Sequence, residues 1–209
     1  MGIDVLVVGS VNEDVVVSVE RLPGPGETLL ASDLALSCGG KGANQAVAAA
    51  RDGVRVAMAG AVGDDDAGDR QATALDGAGV DTRWLRRLAG VPTGTAYIQV
   101  DTRGENTIVV VQGANARVAL PGGDVEARVV VTQNEIPPAA QQAAGELAAR
   151  AGARLVINAA PRPGARHPGT ATRIPSSSTN TRQRSWRHRT RPVPGCSDGC
   201  GNAPGPGAS

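Results

Sequence analysis

From residue 3 to residue 160 the sequence alternates short apolar runs with stretches of helical character, and after residue 161 the alternation stops. The runs "IDVLVVGS" (3–10), "VRVAMAGAVG" (54–63), "ARVVVTQ" (127–133) and "RLVINAA" (154–160) are apolar at consecutive positions, as in strands buried on both faces. Between them the sequence predicts one helix from Lys41 to Gly53 and a second over 64–79, which opens on acids and closes on glycine. A third is predicted over 137–152, with proline in its first turn. "TGTAYIQVD" (94–102) and "ENTIVVVQG" (105–113) flank the turn "TRG" and predict a hairpin. "DVVVSVE" (14–20) and "ETLLASDLALS" (27–37) predict peripheral strands on either side of the Pro-Gly turn at 22–27. The expected fold is α/β, a mostly parallel sheet flanked by helices and carrying extra hairpins.

Composition divides at the same place. Residues 1–160 carry thirteen basic and nineteen acidic side chains, whereas 161–209 carry eight arginines against one acid, Asp198. Eight of the fourteen prolines fall in that last segment, whose branched aliphatics are Ile174 and Val193. Such a segment cannot bury enough apolar surface to offset its ordering entropy. The expectation is a folded domain over 1–163 and a disordered Arg/Pro/Gly/Ser-rich tail over 164–209. An arginine-rich, lysine-poor body suggests GC-rich coding DNA, and out-of-frame reading of such DNA yields a tail of this composition, so the tail is expected to be non-native. Two sharper readings of it are weak. "RQRSWRHRTR" (182–191), with Trp186 to stack, could bind nucleic acid, but arginine-rich disorder binds polyanions nonspecifically. His167, His188, Cys196 and Cys200 lack a usual zinc spacing, so no metal site is expected. Three cysteines do not suggest a disulfide framework. No window approaches roughly 18 consecutive apolar residues, so no membrane span is expected. The start "MGIDVLVVGS" is strand-like without a basic leader, and a cytoplasmic protein is the expectation.

Three short segments carry chemistry. "GGKGAN" (39–44) holds the only lysine of the chain, between glycines and a helix start whose free N–H groups suit anions or hydroxyl-rich ligands. A tight turn with a solvated lysine is the plain alternative. "GSVNED" (9–14) ends an apolar strand in Asn12 and Asp14, where ligand crevices of open α/β sheets lie, although both residues also favour simple turns. Glu135 follows the strand 127–133 and precedes the Pro-marked helix, a position that equally suits a cap.

Taken together, "VVGSVNEDVVVSVERLPGPGETLLA", "CGGKGANQAVAAARDGVRVAMAGAVGDDDAGD" and "TGTAYIQVDTRGENTIVVVQGAN" resemble the N-terminal half of the ribokinase-type sugar kinase family. Gly39, Gly40, Gly42, Asn44, Gly53 and Gly63 fall where the family's first signature needs them, and the lysine favours the ribokinase branch over the fructokinase branch. The resemblance covers residues 3–163, about half of a usual member. It implies a small β lid from hairpins at about 11–36 and 94–113, and ATP-dependent phosphorylation of D-ribose at its 5-hydroxyl. It implies that Asn12 and Asp14 bind sugar hydroxyls, with Gly40, Lys41, Gly42 and Asn44 holding the sugar from the other side. Glu135 would add a further contact, and Ala96 and Ile108 an apolar lid underside. Mg-ATP, a potassium ion and a homodimer through the lid sheet are also implied by the family. The acids Asp64–Asp66 match the family pattern and are expected to be structural, at a helix start.

The family's base, an Asp after a Gly-Ala-Gly turn, lies in the C-terminal half, together with its anion hole, nucleotide contacts, cation site and Asn-Glu motif. None of these strings occurs in this chain, and Asp198 lacks the turn before it and an apolar helix after it. The expectation is a partial fold that keeps the sugar-binding half, without catalytic, nucleotide-binding or metal-binding residues. A non-catalytic sugar-binding remnant and a fructokinase-like kinase stay open as alternatives.

Overall fold

The computed structural model describes residues 2–120, 122 and 125–161. The expectations for the 164–209 tail, including those on Trp186, His167, His188, Cys196, Cys200 and Asp198, lie outside the described residues.

Five parallel strands form the main sheet in the order β5-β4-β1-β8-β9. They are β1 (Ile3–Val8), β4 (Val56–Gly63), β5 (Asp81–Leu88), β8 (Ala127–Gln133) and β9 (Arg154–Asn158). Helices α1 (Lys41–Arg51), α2 (Asp66–Gly77) and α3 (Pro138–Ala151) connect or follow these strands. Strand alternation sorts the apolar residues to two faces. On one face Leu6, Val8 and Val130 pack with Ile136 and with Ala140, Ala144 and Leu147 of α3. On the other, Val7, Met58 and Val62 pack with Ala43 and Ala46 of α1 and Leu75 of α2. This two-sided cover explains why β4 reads as an unbroken run of buried small and apolar residues.

A second, four-stranded sheet stands on the first, in the order β3-β2-β6-β7. Its strands are β2 (Asn12–Ser18), β3 (Asp33–Gly39), β6 (Gly94–Val100) and β7 (Asn106–Val111). Two antiparallel hairpins, β2–β3 and β6–β7, meet along a parallel β2–β6 pairing. These are the two hairpins expected to form a lid, although β3 runs on to Gly39, beyond the predicted end of the first hairpin.

Strand β5 was not expected from the sequence. Four of its eight residues are charged, because among the described residues it is an edge strand pairing with β4 alone. Trp84 and Leu88 pack on one core and Leu85 on the other, while Arg83 and Arg87 form ion pairs with Asp81 and Asp69. Edge charges of this kind blunt unwanted strand pairing, and they also hide the apolar signal.

Candidate functional site

The site lies where four connections between the two sheets cross. The β1–β2 connection (residues 9–11) passes so close to the β3–α1 turn that side chains are excluded there. A Cβ on Gly40 would stand 2.8 Å from the Asn12 amide nitrogen and the Ser10 carbonyl oxygen, and one on Gly42 would stand 2.6 Å from the Ser10 nitrogen. Gly40 also adopts φ 92, a left-handed value that favours glycine. These two glycines therefore admit the chain's own backbone.

Gly40 precedes α1 and offers that helix no side-chain cap. The orphan N–H groups find partners from elsewhere in the chain. Lys41 N–H donates to Glu135 Oε2 (3.1 Å), Gly42 N–H to Ser10 Oγ (3.3 Å) and Ala43 N–H to the Ser10 carbonyl (2.9 Å). Glu135 thus acts as a cap, but on α1 rather than on α3, which follows it in sequence. Its carboxylate also accepts from Ser10 Oγ at 2.6 Å and pairs with Lys41 Nζ at 2.9 Å. Burial pushes the Glu135 carboxyl up, but Ser10, the Lys41 ammonium and the Lys41 N–H together hold it below its ordinary value.

Asp14 contrasts with it. Two residues along β2 from Asn12, it is half-buried, and burial and the nearby Glu135 charge raise its pKa against the opposing pull of Lys41. Asn44 is exposed one turn beyond Lys41 on α1. Asn12, Asp14, Gly40, Lys41, Gly42, Asn44 and Glu135 are therefore brought to one region by β2, the α1 N-terminus and the end of β8. Register places Ala96 directly beside Asp14, and Ile108 beside Ile98, so both expected lid residues share a lid face with Asp14. Ala96 is buried and Ile108 is 51% exposed.

Several residues that support the site carry no local sequence signal. Asn115, in the 3₁₀ turn Gly113–Arg117 that follows β7, hydrogen-bonds to Val11 N–H and carbonyl (2.8 and 3.0 Å) and to Asn12 Oδ1 (2.6 Å). Gln133 donates to Gln45 Oε1 at 2.7 Å behind α1 and fills the space where Gly9 lacks a side chain. Buried Glu13 pairs with Arg70 of α2 at 2.7 Å, tying the lid root to the main domain. Asp65 caps α2 through Gly68 N–H and accepts from both N–H and Oγ1 of Thr93, just before β6. The expected structural role of the acids at 64–66 thus falls to Asp65. The acids at 64–66 and the "GAN" string containing Asn115 were the available pointers to these supports.

Among the described residues no helix is long and apolar enough to cross a membrane. Residues 3–167 match the pfkB family carbohydrate kinase profile. Ribokinase of Haemophilus influenzae is 38% identical over 161 residues, covering 74% of this chain and 53% of that protein. The crystal structure of ribokinase from Cryptococcus neoformans var. grubii serotype A in complex with ADP matches with a TM-score of 0.69 at 37% identity, over 77% of this chain and 52% of that one. Arabidopsis thaliana ribokinase complexed with ribose and ATP gives a TM-score of 0.66 at 34% identity, over 75% and 53% of the respective chains. The chain thus spans about half the length of the relatives it matches.

Proposed function

This chain belongs to the pfkB family of carbohydrate kinases, and from that premise we propose that it carries the acceptor-sugar half of a ribokinase-type site, shaped to hold D-ribose for phosphorylation at its 5-hydroxyl by ATP. The observation that supports this most is the state of the α1 N-terminus. A glycine-rich turn with a lysine before a helix cradles phosphate through free N–H groups. In this chain the N–H groups of Lys41, Gly42 and Ala43 are occupied by Glu135 and Ser10. The groups left partly exposed are the Asp14 carboxylate, the Lys41 ammonium and the Asn44 carboxamide. Separated donors and acceptors of this kind suit a polyol.

Phosphoryl transfer further needs a base on the acceptor hydroxyl and donors for the developing charge. The α1 donors are engaged within the chain, which supports placing the Mg-ATP seat outside the described residues. In this reading the Mg-ATP and potassium ion used by the family are held by residues that this chain does not supply, and 164–209 is a non-native tail. The chain then binds sugar without turning it over. Exposed Leu34, Leu36, Tyr97 and Val109 support a homodimer formed through the lid sheets.

With D-ribose and Mg-ATP the purified chain is expected to release no ADP above background, while D-ribose alone raises its melting temperature. Turnover that is lost in Asp14→Ala or Lys41→Ala would overturn the non-catalytic part of the reading. A larger melting shift from D-fructose than from D-ribose would move it to the fructokinase branch.

A further inference from the structure

We infer that Asn115 is a positioning residue that fixes which end of the Asn12 carboxamide meets the sugar, making Asn12 a hydrogen-bond donor to the ligand. The inference rests on the reading above, in which Asn12 lines the sugar site.

The polarity follows from one group that cannot change its role. The backbone N–H of Val11 can only donate, and it points at the Asn115 side chain from 2.8 Å, so the Asn115 atom there must be its oxygen. The other end of the Asn115 amide is then Nδ2, which lies 3.0 Å from the Val11 carbonyl and 2.6 Å from the Asn12 side chain. Both Asn115 Nδ2 protons are therefore directed at acceptors, and Asn12 must present its oxygen to them. That leaves Asn12 Nδ2 at the opposite end. Among the described residues nothing accepts from it, and it is absent from the sealed, unpartnered polar atoms, which are Thr132 Oγ1 and Gln133 Oε1. Asn12 lies on the same lid face as Asp14 and Ala96. One strand thus offers the ligand a donor at Asn12 and an acceptor at Asp14.

The clamp has little freedom to rearrange. Asn115 is 2% exposed and Asn12 is 3% exposed. A Cβ on Gly94 would stand 2.1 Å from Asn115 Nδ2 and 2.5 Å from Asn12 Oδ1, so the lid strand β6 leaves room for this amide pair and no more. Asn115 sits where the β6–β7 hairpin returns to the main domain, so the polarity of Asn12 is tied to the seating of that hairpin.

The substitution Asn115→Asp tests this with almost no change of shape. One aspartate oxygen still accepts from Val11 N–H, but the other confronts Asn12 Oδ1, and Asn12 turns its NH₂ inward and its oxygen outward. The test titrates the full chain with D-ribose and with its deoxy and deoxyfluoro analogues, because C–F accepts a hydrogen bond and cannot donate one. At the hydroxyl read by Asn12, deoxygenation is expected to weaken binding about fivefold to tenfold, with fluorine recovering much of that loss. That position is the one whose fluorine tolerance disappears in Asn12→Asp. Asn115→Asp is expected to abolish tolerance at the same position, and tolerance kept there would overturn the proposal. A ligand-free measurement decides the same point. In the ¹⁵N-labelled chain, the side-chain NH₂ of Asn115 should exchange slowly with solvent and that of Asn12 rapidly. The reverse order would overturn the proposal. If the wild-type chain binds no ribose, the sugar reading falls while the exchange measurement still decides the orientation of Asn12.

Discussion

The parallel sheet keeps Leu6, Val7, Val8, Met58 and Val130 at 0% exposure, whereas the lid sheet leaves Leu34 at 61%, Tyr97 at 50% and Val109 at 60%. The buried residues of the lid are of a different kind. At its root they are mostly polar, namely Asn12, Glu13, Thr93 and, on the returning turn, Asn115. The main sheet is held by apolar cover on both faces, and the lid root is held by directional bonds to α2, the residue before that helix and the turn after β7. Burial of apolar surface fixes where the main sheet's strands go. Hydrogen bonds fix how the polar groups at the lid's root are aimed, at a smaller gain per contact. The same contrast separates the two carboxylates of the site: Glu135 is anchored by three donors, and Asp14 is left available.

Substitutions should divide along this line. Leu6→Ala is expected to cost about 3–5 kcal/mol through a core cavity, and Leu34→Ala well under about 1 kcal/mol, compared by urea denaturation. A similar cost at both positions would break the comparison. At the lid root, Arg70→Ala leaves Glu13 buried without its partner and is expected to cost about 1–2 kcal/mol, the loss being softened by the partial exposure of Arg70. Arg21→Ala removes an ion pair with Glu27 on the outer surface and is expected to leave the urea midpoint essentially unchanged. If the chain forms the proposed lid-to-lid dimer, Val109→Arg is expected to shift it to monomer in analytical ultracentrifugation.

The smallest expected effect sharpens the contrast between the carboxylates. Asp14 has a raised folded pKa, so its ionisation opposes folding; the penalty is absent below the ordinary aspartate value and complete above the raised one. Asp14→Asn should therefore raise the ligand-free melting temperature at pH 7, with the gain fading as pH falls through that window. Glu135 has the opposite sign. Its contribution is complete above the ordinary glutamate value and is lost as pH falls through its depressed folded value. Glu135→Gln should lower the melting temperature at pH 7 and converge on wild type in acid.

What the sequence made legible follows the same division. Strand β8 was predicted at its observed bounds, and α1 and β4 within a few residues, because their apolar runs and glycine stops are local signals. Strand β5 was missed because an edge strand needs only half its residues to be apolar. Asn12, Asp14, Lys41 and Glu135 stood out as candidates from their places at strand ends and in the family motif. Their supports were not, since Ser10–Glu135 and Asn115–Val11 join positions 125 and 104 residues apart. No local pattern shows that Glu135 caps α1, which precedes it by 94 residues, rather than the adjacent α3.

Isothermal titration of the full chain with D-ribose tests the central claim most directly. The account predicts saturable one-to-one binding in the wild-type chain, abolished in Asp14→Ala while the circular dichroism spectrum and melt stay cooperative. No binding heat from a wild-type chain that melts cooperatively, or equal affinity in Asp14→Ala, would contradict it.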